Sequence, residues 1–388
     1  MEYQVNFFYK IILATFLILN LTHAEPQFLT ISDIHYGSAP ISKDGQDTGP
    51  EFFKISMDKF RQLSTKADFI LFLGDIPVHS LFIKIKKEQF EQIVFHALFQ
   101  NDIQAKPMFY IAGNNDSLNG NYQPFESNGL SPLNFANDWN GACVHCKGLI
   151  INDSHMRHGG YYSSYVMPKN KEIILIALNA TQWAKTPFFS HYPSQEKDAL
   201  EQLAWLETQL KTHQAKQLLI AMHEPPGKSF RNEPILYKEY EQKFIDLLAK
   251  YSPQYGQISL LTSHTHMEEF RKIKLANENN IYAFSTPGIS RNHHNYPGMK
   301  LFSFNKKLQL QNFTTYYTSE LHQWNDQKYN ALSGTDPIFP NCQNKTLAQC
   351  LNALSTNEVC NDLDRGLFYG VKNPRVLDIS CRNTYNIN

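Results

Sequence analysis

Asp33 and His35 stand two residues apart just after a short apolar run, and His264 and His266 repeat that spacing far along the chain. Alternate residues of an extended backbone point to one face, so a strand running on through either pair would aim both of its donors the same way. Carboxylate oxygen together with imidazole nitrogen suits a borderline cation such as zinc, iron or manganese. Between the pairs lie Gly74-Asp75, Gly113-Asn114-Asn115-Asp116 and His223. Gly74 permits a tight turn that directs the Asp75 carboxylate, whose two oxygens can serve two cations at once. Asn114 offers a neutral oxygen, and the tetrapeptide around it equally suits a plain turn.

Each of these groups follows a run with strand character: 28–31, 69–73, 108–112, 217–222 and 258–261, with a further run at 173–178. Helical spacing lies between them in Phe53, Met57 and Phe60, in Phe90, Val94, Ala97 and Leu98, and in Leu200, Leu203, Leu206 and Leu210. The alternation predicts βαβ units and an α/β sandwich with helices on its faces. Ligands of such sheets bind outside the carboxyl ends of strands, so five strand ends can converge on one site. Past Ser263 the alternating runs 281–285, 301–304 and 308–317 predict antiparallel strands. From Ser319 onward the chain is polar, aromatic and cysteine-bearing without periodicity, and disulfides rather than a core are expected to hold it.

Lysine plus arginine and aspartate plus glutamate both number 36, so no basic surplus points to a nucleic-acid polymer. Small anions or esters fit better. Lys10 ends a short leading region, an apolar run spans 11–21, and Thr22-His23-Ala24 supplies small residues, which together read as a signal peptide over 1–24. That run is shorter than the roughly 20 residues a spanning helix needs, so no stable membrane anchor is expected. Export, to a periplasm or out of the cell, makes the six cysteines disulfide formers, the Cys143-x-x-Cys146 pair included. Asn152, Asn179, Asn312 and Asn344 begin Asn-x-Ser/Thr sequons, modified only in a eukaryotic secretory route.

The ordered blocks D-x-H, G-D, G-N-N-D, H-E-P-P-G and S-H-T-H resemble the calcineurin-like metallophosphoesterases, over roughly residues 28–317. "GDIPVHS" at 74–80, "LNATQW" at 178–183, "QLAWLETQL" at 202–210 and "HEPPG" at 223–227 are similar to the acid sphingomyelinase-like phosphodiesterases, and endopolyphosphatases share a G-N-N-D block. The resemblance implies a four-layer α-β-β-α sandwich over 25–318 with a disulfide-containing extension over 319–388. It implies one metal on Asp33, His35, Asp75 and His266 and a second on Asp75, Asn114, His223 and His264. A bridging water or hydroxide between metals ~3.5–4 Å apart would attack the phosphorus in line. Two divalent or trivalent ions are expected, zinc first, iron or manganese otherwise.

One position departs from the family pattern. Asn115 stands where the family carries a histidine assigned to phosphate contact and leaving-group protonation, and an amide can donate a hydrogen bond but not act as a general acid. His79, four residues past Asp75, matches a histidine that the sphingomyelinase-like branch places beside its site. It is the expected acid, with Asn115 as a phosphoryl donor. His293 and His294 in "RNHHNYPG", His155 and His158, and Tyr161 and Tyr162 are secondary candidates for substrate contact or plain packing. Hydrolysis of soluble phosphoesters such as nucleotides leads; polyphosphate or sphingomyelin cleavage, or a metal-containing binding protein of weak activity, are the alternatives.

Overall fold

The computed structural model describes residues 25–39, 43–79, 84–186, 192–229, 231–325, 327–334, 337–363 and 381–387. The expected signal peptide over 1–24 lies outside the described residues. Among the described residues fifteen strands form two sheets: β1 Gln27–Ile31, β2 Phe69–Phe72, β3 Met108–Tyr110, β4 Cys143–Val144, β5 Ile150–Asn152, β6 Tyr162–Met167, β7 Asn170–Leu178, β8 Ala215–Met222, β9 Tyr255–Thr262, β10 Phe270–Lys274, β11 Asn280–Ser285, β12 Gly298–Phe304, β13 Leu310–Tyr317, β14 Gln327–Asn330 and β15 Asn386–Ile387. The first sheet runs β14-β13-β12-β1-β2-β3-β4 and the second β15-β10-β11-β9-β8-β7-β6-β5. β1, β2 and β3 are parallel, as are β7, β8, β9 and β11. The run at 281–285 therefore pairs in parallel with β9 and antiparallel with β10 alone, against the antiparallel reading.

Period-two alternation divides the second sheet between two cores. Ile173, Leu175 and Ala177 face the first sheet, while Ile174, Ile176 and Leu178 of the same strand join a separate core with the helices. Helices α1 Pro50–Ser64 and α2 Lys84–Asn101 pack on the first sheet through Phe53, Met57, Phe60, Val94 and Leu98. Helices α3 Gln195–Thr212 and α4 Lys238–Tyr251 cover the second through Leu203, Leu206, Leu210, Phe244 and Leu248. The expected four layers result. Leu200 is the exception to the helical reading: it is 40% exposed, and Ala199 turns inward instead.

The C-terminal segment is packed more deeply than its texture suggests. β14 adds to β13, β15 adds to β10, and Ile338, Phe339, Leu347, Leu351, Val359 and Leu363 join the main core. Disulfides Cys342–Cys350 and Cys360–Cys381 reinforce it, and Cys143–Cys146 closes the short turn at β4. A core as well as disulfides thus holds the residues after Ser319, because spaced single apolar residues there meet an existing sheet edge instead of forming a face of their own.

A buried polar knot ties the two sheets together. Lys300 on β12 pairs with Glu268, which follows β9, and donates to the carbonyl of Ser285 on β11 at 2.5 Å. Thr315 and Tyr329 donate to the other carboxylate oxygen of Glu268 at 2.8 and 2.7 Å. The Lys300 ammonium also lies 4.3 Å from the Phe313 ring centroid.

Candidate metal centre

β1, β2, β8 and β9 end side by side on one edge of the sandwich, and the residues just past each end converge there. Neither D-x-H nor H-x-H continues a strand. β1 stops at Ile31 and β9 at Thr262, and Asp33, His35, Asp75, His264 and His266 all have φ between 45° and 72°. Left-handed backbone at non-glycine residues costs of order 1–3 kcal/mol each and collects at functional sites. Gly74 makes the approach possible: at φ 85°, a Cβ would lie 2.6 Å from the Gly113 amide nitrogen.

Among the described residues Asp33, His35 and His266 form one buried group of potential ligand atoms and Asp75, His223 and His264 a second, each within 4.8 Å, and a third set of the same span, His35, Asp75 and His79, links the two. Asp75 joins them: its Oδ2 lies 3.5 Å from His35 Nε2 and 3.2 Å from His223 Nε2. Asp33 Oδ1 sits 3.4 Å from His266 Nε2 and 3.6 Å from His223 Nε2.

The outer partners fix which nitrogen faces inward. His35 Nδ1 donates to the Pro77 carbonyl at 3.0 Å, His223 Nδ1 to that of Leu73 at 2.6 Å, and His266 Nδ1 to that of Ser290 at 3.3 Å. A carbonyl only accepts, so each neutral imidazole carries its proton on Nδ1 and turns a bare Nε2 lone pair to the centre. His35 and His266 face each other with Nε2 atoms 3.2 Å apart, a contact that either a proton on His35 or a cation between the rings reconciles. Asn114 behaves alike: Nδ2 donates to Asn121 Oδ1 at 2.7 Å, which leaves Oδ1 facing inward. Asp33 Oδ1, Asn114 Oδ1 and His223 Nε2 are buried without a hydrogen-bond partner, which is the signature of a missing electrophile. The donor set fits two metal ions.

Charge is strongly correlated across the cluster. Burial pushes the Asp33 carboxyl up, but the charges of His266 and His223 and the nearby His35 ring hold it well below the usual carboxylate range. Burial pulls His35 down, yet Asp33 and the fields of Asp75 and Asp47 raise it to about 9. His264 falls to about 3 through burial and the charge of His223.

The family model for calcineurin-like phosphoesterases matches residues 26–268, a span that includes every one of these residues. The chain belongs to that family. Similar solved folds of this phosphoesterase include a dimetal phosphatase from Danio rerio, at 12% identity and TM-score 0.47 over 75% of this chain and 95% of that one. PhoD is similar at 12% identity and TM-score 0.48, over 78% and 68%. The NAD nucleotidase of Haemophilus influenzae is similar at 13% and 0.39, over 80% and 50%. Among curated proteins none matches the phosphoesterase.

The two residues singled out for chemistry beyond the metals differ in placement. The His79 ring stacks on His35 at 3.8 Å between centroids, and its Nδ1 lies 3.0 Å from Asp47 Oδ1. Asn115 instead serves Asp75, donating from its backbone nitrogen to Oδ1 at 2.8 Å and from Nδ2 to Oδ2 at 2.9 Å. Asp116 fastens the same turn, accepting from the amides of Asp75, Ile76 and Gly113 and from the Tyr110 hydroxyl. His293 meets the His266 ring edge-on at 4.5 Å. His294 pairs with Asp44, His155 stacks on Tyr161 and His158 pairs with Glu126, all away from the cluster's ligand atoms. Tyr161 and Tyr162 are buried and pack.

Sequence reasoning passed over Asp47, Asn121, Tyr122, Ser263 and Ser290. Each sits in a loop and touches a candidate ligand or His79, Asn121 from seven residues away and the others from 24 or more. Tyr122, for instance, places its hydroxyl 3.4 Å from His264 Nε2.

Proposed function

We propose that the chain is a two-metal phosphoric ester hydrolase acting on small soluble phosphoesters, diesters or pyrophosphates such as nucleotides, in an exported compartment. The observation that carries this reading is the pair of ligand groups joined by Asp75, with bare ligand atoms turned to one point. Asp33, His35, Asp75 and His266 would hold one ion, and Asp75, Asn114, His223 and His264 the other. Two bound cations supply Lewis-acid activation of a water nucleophile and neutralise charge on the phosphoryl oxygens.

The chain's own residues do the rest. Asp47 accepts the Nδ1 proton of His79 and fixes the ring, so Nε2 is the atom that holds a proton for the departing oxygen. Asn115 keeps Asp75 aligned through both of its oxygens. The three disulfides agree with an oxidising compartment.

The test is turnover of bis-p-nitrophenyl phosphate, ATP and polyphosphate with and without chelator. Chelator-sensitive cleavage of the first two supports the reading, and a preference for polyphosphate moves it to the chain-cutting alternative. His79→Ala should lower kcat about 100- to 10,000-fold on an alkyl phosphodiester. A p-nitrophenyl ester should lose far less, because its leaving group needs little protonation. Equal losses on both esters remove His79 from the acid role. Asn121→Ala frees the Asn114 amide to rotate, and the second metal's affinity should fall about 10- to 100-fold in a metal titration.

A further inference from the structure

The geometry points to His293 as a second side chain, beside His79, that contacts the phosphoryl group. This rests on the two-metal reading above. Asn115 gives its backbone N–H to Asp75 Oδ1 and one hydrogen of its Nδ2 to Oδ2, so its side-chain amide is held against that carboxylate.

The opposite wall is the loop from Gly288 to Asn295, and it is fastened to the ligand backbone itself. Gly288 donates its amide to the His266 carbonyl at 3.2 Å, Ile289 to that of Ser32 at 3.0 Å and Ser290 to that of Asp33 at 2.8 Å. Asn295, fully buried, donates Nδ2 to the carbonyls of Gly288 and Ser290. Buried Arg291 lies over the Phe52 ring at 4.8 Å, and the Ser290 hydroxyl donates to Asp47 at 3.0 Å. Such a loop holds its tip in one place without a ligand present.

That tip carries two groups to the edge of the candidate ligand cluster. The Asn292 amide lies 3.1 Å from His79 Nδ1, next to the Asp47 contact. His293 is partly exposed whereas His266, 4.5 Å away between ring centroids, is buried, so His293 stands where the cluster opens to solvent. It lies within the electrostatic reach of His79, His35, Asp33 and Arg231. An imidazole there donates a hydrogen bond to an equatorial phosphoryl oxygen while His79 serves the leaving oxygen.

The experiment is isothermal titration of the metal-loaded full chain with inorganic phosphate, with metal content measured in parallel. His293→Ala and His293→Leu should keep both metals and bind phosphate about 10- to 100-fold more weakly, the range for a hydrogen bond to a charged group. His293→Gln, which restores an amide donor, should recover part of the loss. Phosphate affinity within about twofold of wild type in His293→Leu overturns the proposal. So does loss of a metal in that variant, which would make His293 a ligand. Wild-type protein that takes up fewer than two metals overturns the underlying reading and this proposal with it, a result visible before any variant is made.

Discussion

Asp75→Ala should lower metal-dependent hydrolysis at least about 1,000-fold and leave fewer than two metals per chain. Partners that act only by orienting a ligand are worth about 10- to 100-fold. Asp75 lies in the second ligand group and brings the same Oδ2 within 3.5 Å of His35 in the first, so its loss strikes both proposed coordination spheres together. No neighbour can substitute: Asp116 is held by the amides of residue 75, Ile76 and Gly113 and by the Tyr110 hydroxyl, and Asn115 offers only a neutral amide. Asp75→Asn keeps the shape and one neutral oxygen, so it should fall between wild type and alanine. Kinetics with bis-p-nitrophenyl phosphate, beside metal analysis of the purified variants, checks both. Retention of two metals by Asp75→Ala would remove the shared role of this carboxylate.

Lys300→Met should be the most destabilising single change outside the metal cluster, by about 3–5 kcal/mol. The ammonium is wholly buried between the sheets, where burial pulls its pKa down and Glu268 pulls it back up. Removing it leaves the Glu268 carboxylate in the interior with Thr315 and Tyr329 as its remaining donors. An uncompensated buried charge is costlier than the pair was worth. The double variant Lys300→Met with Glu268→Leu should therefore recover a large part of the loss. Urea denaturation of the single and double variants gives the comparison; a single variant within about 1 kcal/mol of wild type would show that the pair is dispensable.

The strands that carry the ligands were legible because each is an apolar run that stops abruptly at a polar group, as at Leu73-Gly74-Asp75 and Met222-His223. The spacing argument at Asp33-x-His35 reached the right neighbours by the wrong geometry. The side chains converge because each residue takes a left-handed turn, and no periodicity reports that. β10 reads Phe-Arg-Lys-Ile-Lys and looks like surface, yet Arg271 is buried, pairs with Glu269 at 2.7 Å and donates to the carbonyls of Pro226 and Lys228, fastening the segment after His223. Asp47 was invisible for another reason. Its partner His79 is 32 positions away, and a carboxylate in a polar loop carries no local mark of the ring it will hold.

The proposed ligands come from both layers of strands: Asp33, His35, Asp75 and Asn114 follow the first sheet, and His223, His264 and His266 follow the second. Ions held as proposed would therefore act as rivets between two halves, adding to the side-chain packing, the Lys300 knot and hydrogen bonds such as that of His223 to the Leu73 carbonyl. A ligand that binds only the folded form at 1,000 times its dissociation constant adds about 4 kcal/mol, a sizeable share of the stability of a whole domain. The melting temperature of this protein would then be a gauge of metal supply, and scarcity of the ion would shorten the life of the chain as well as silence its chemistry.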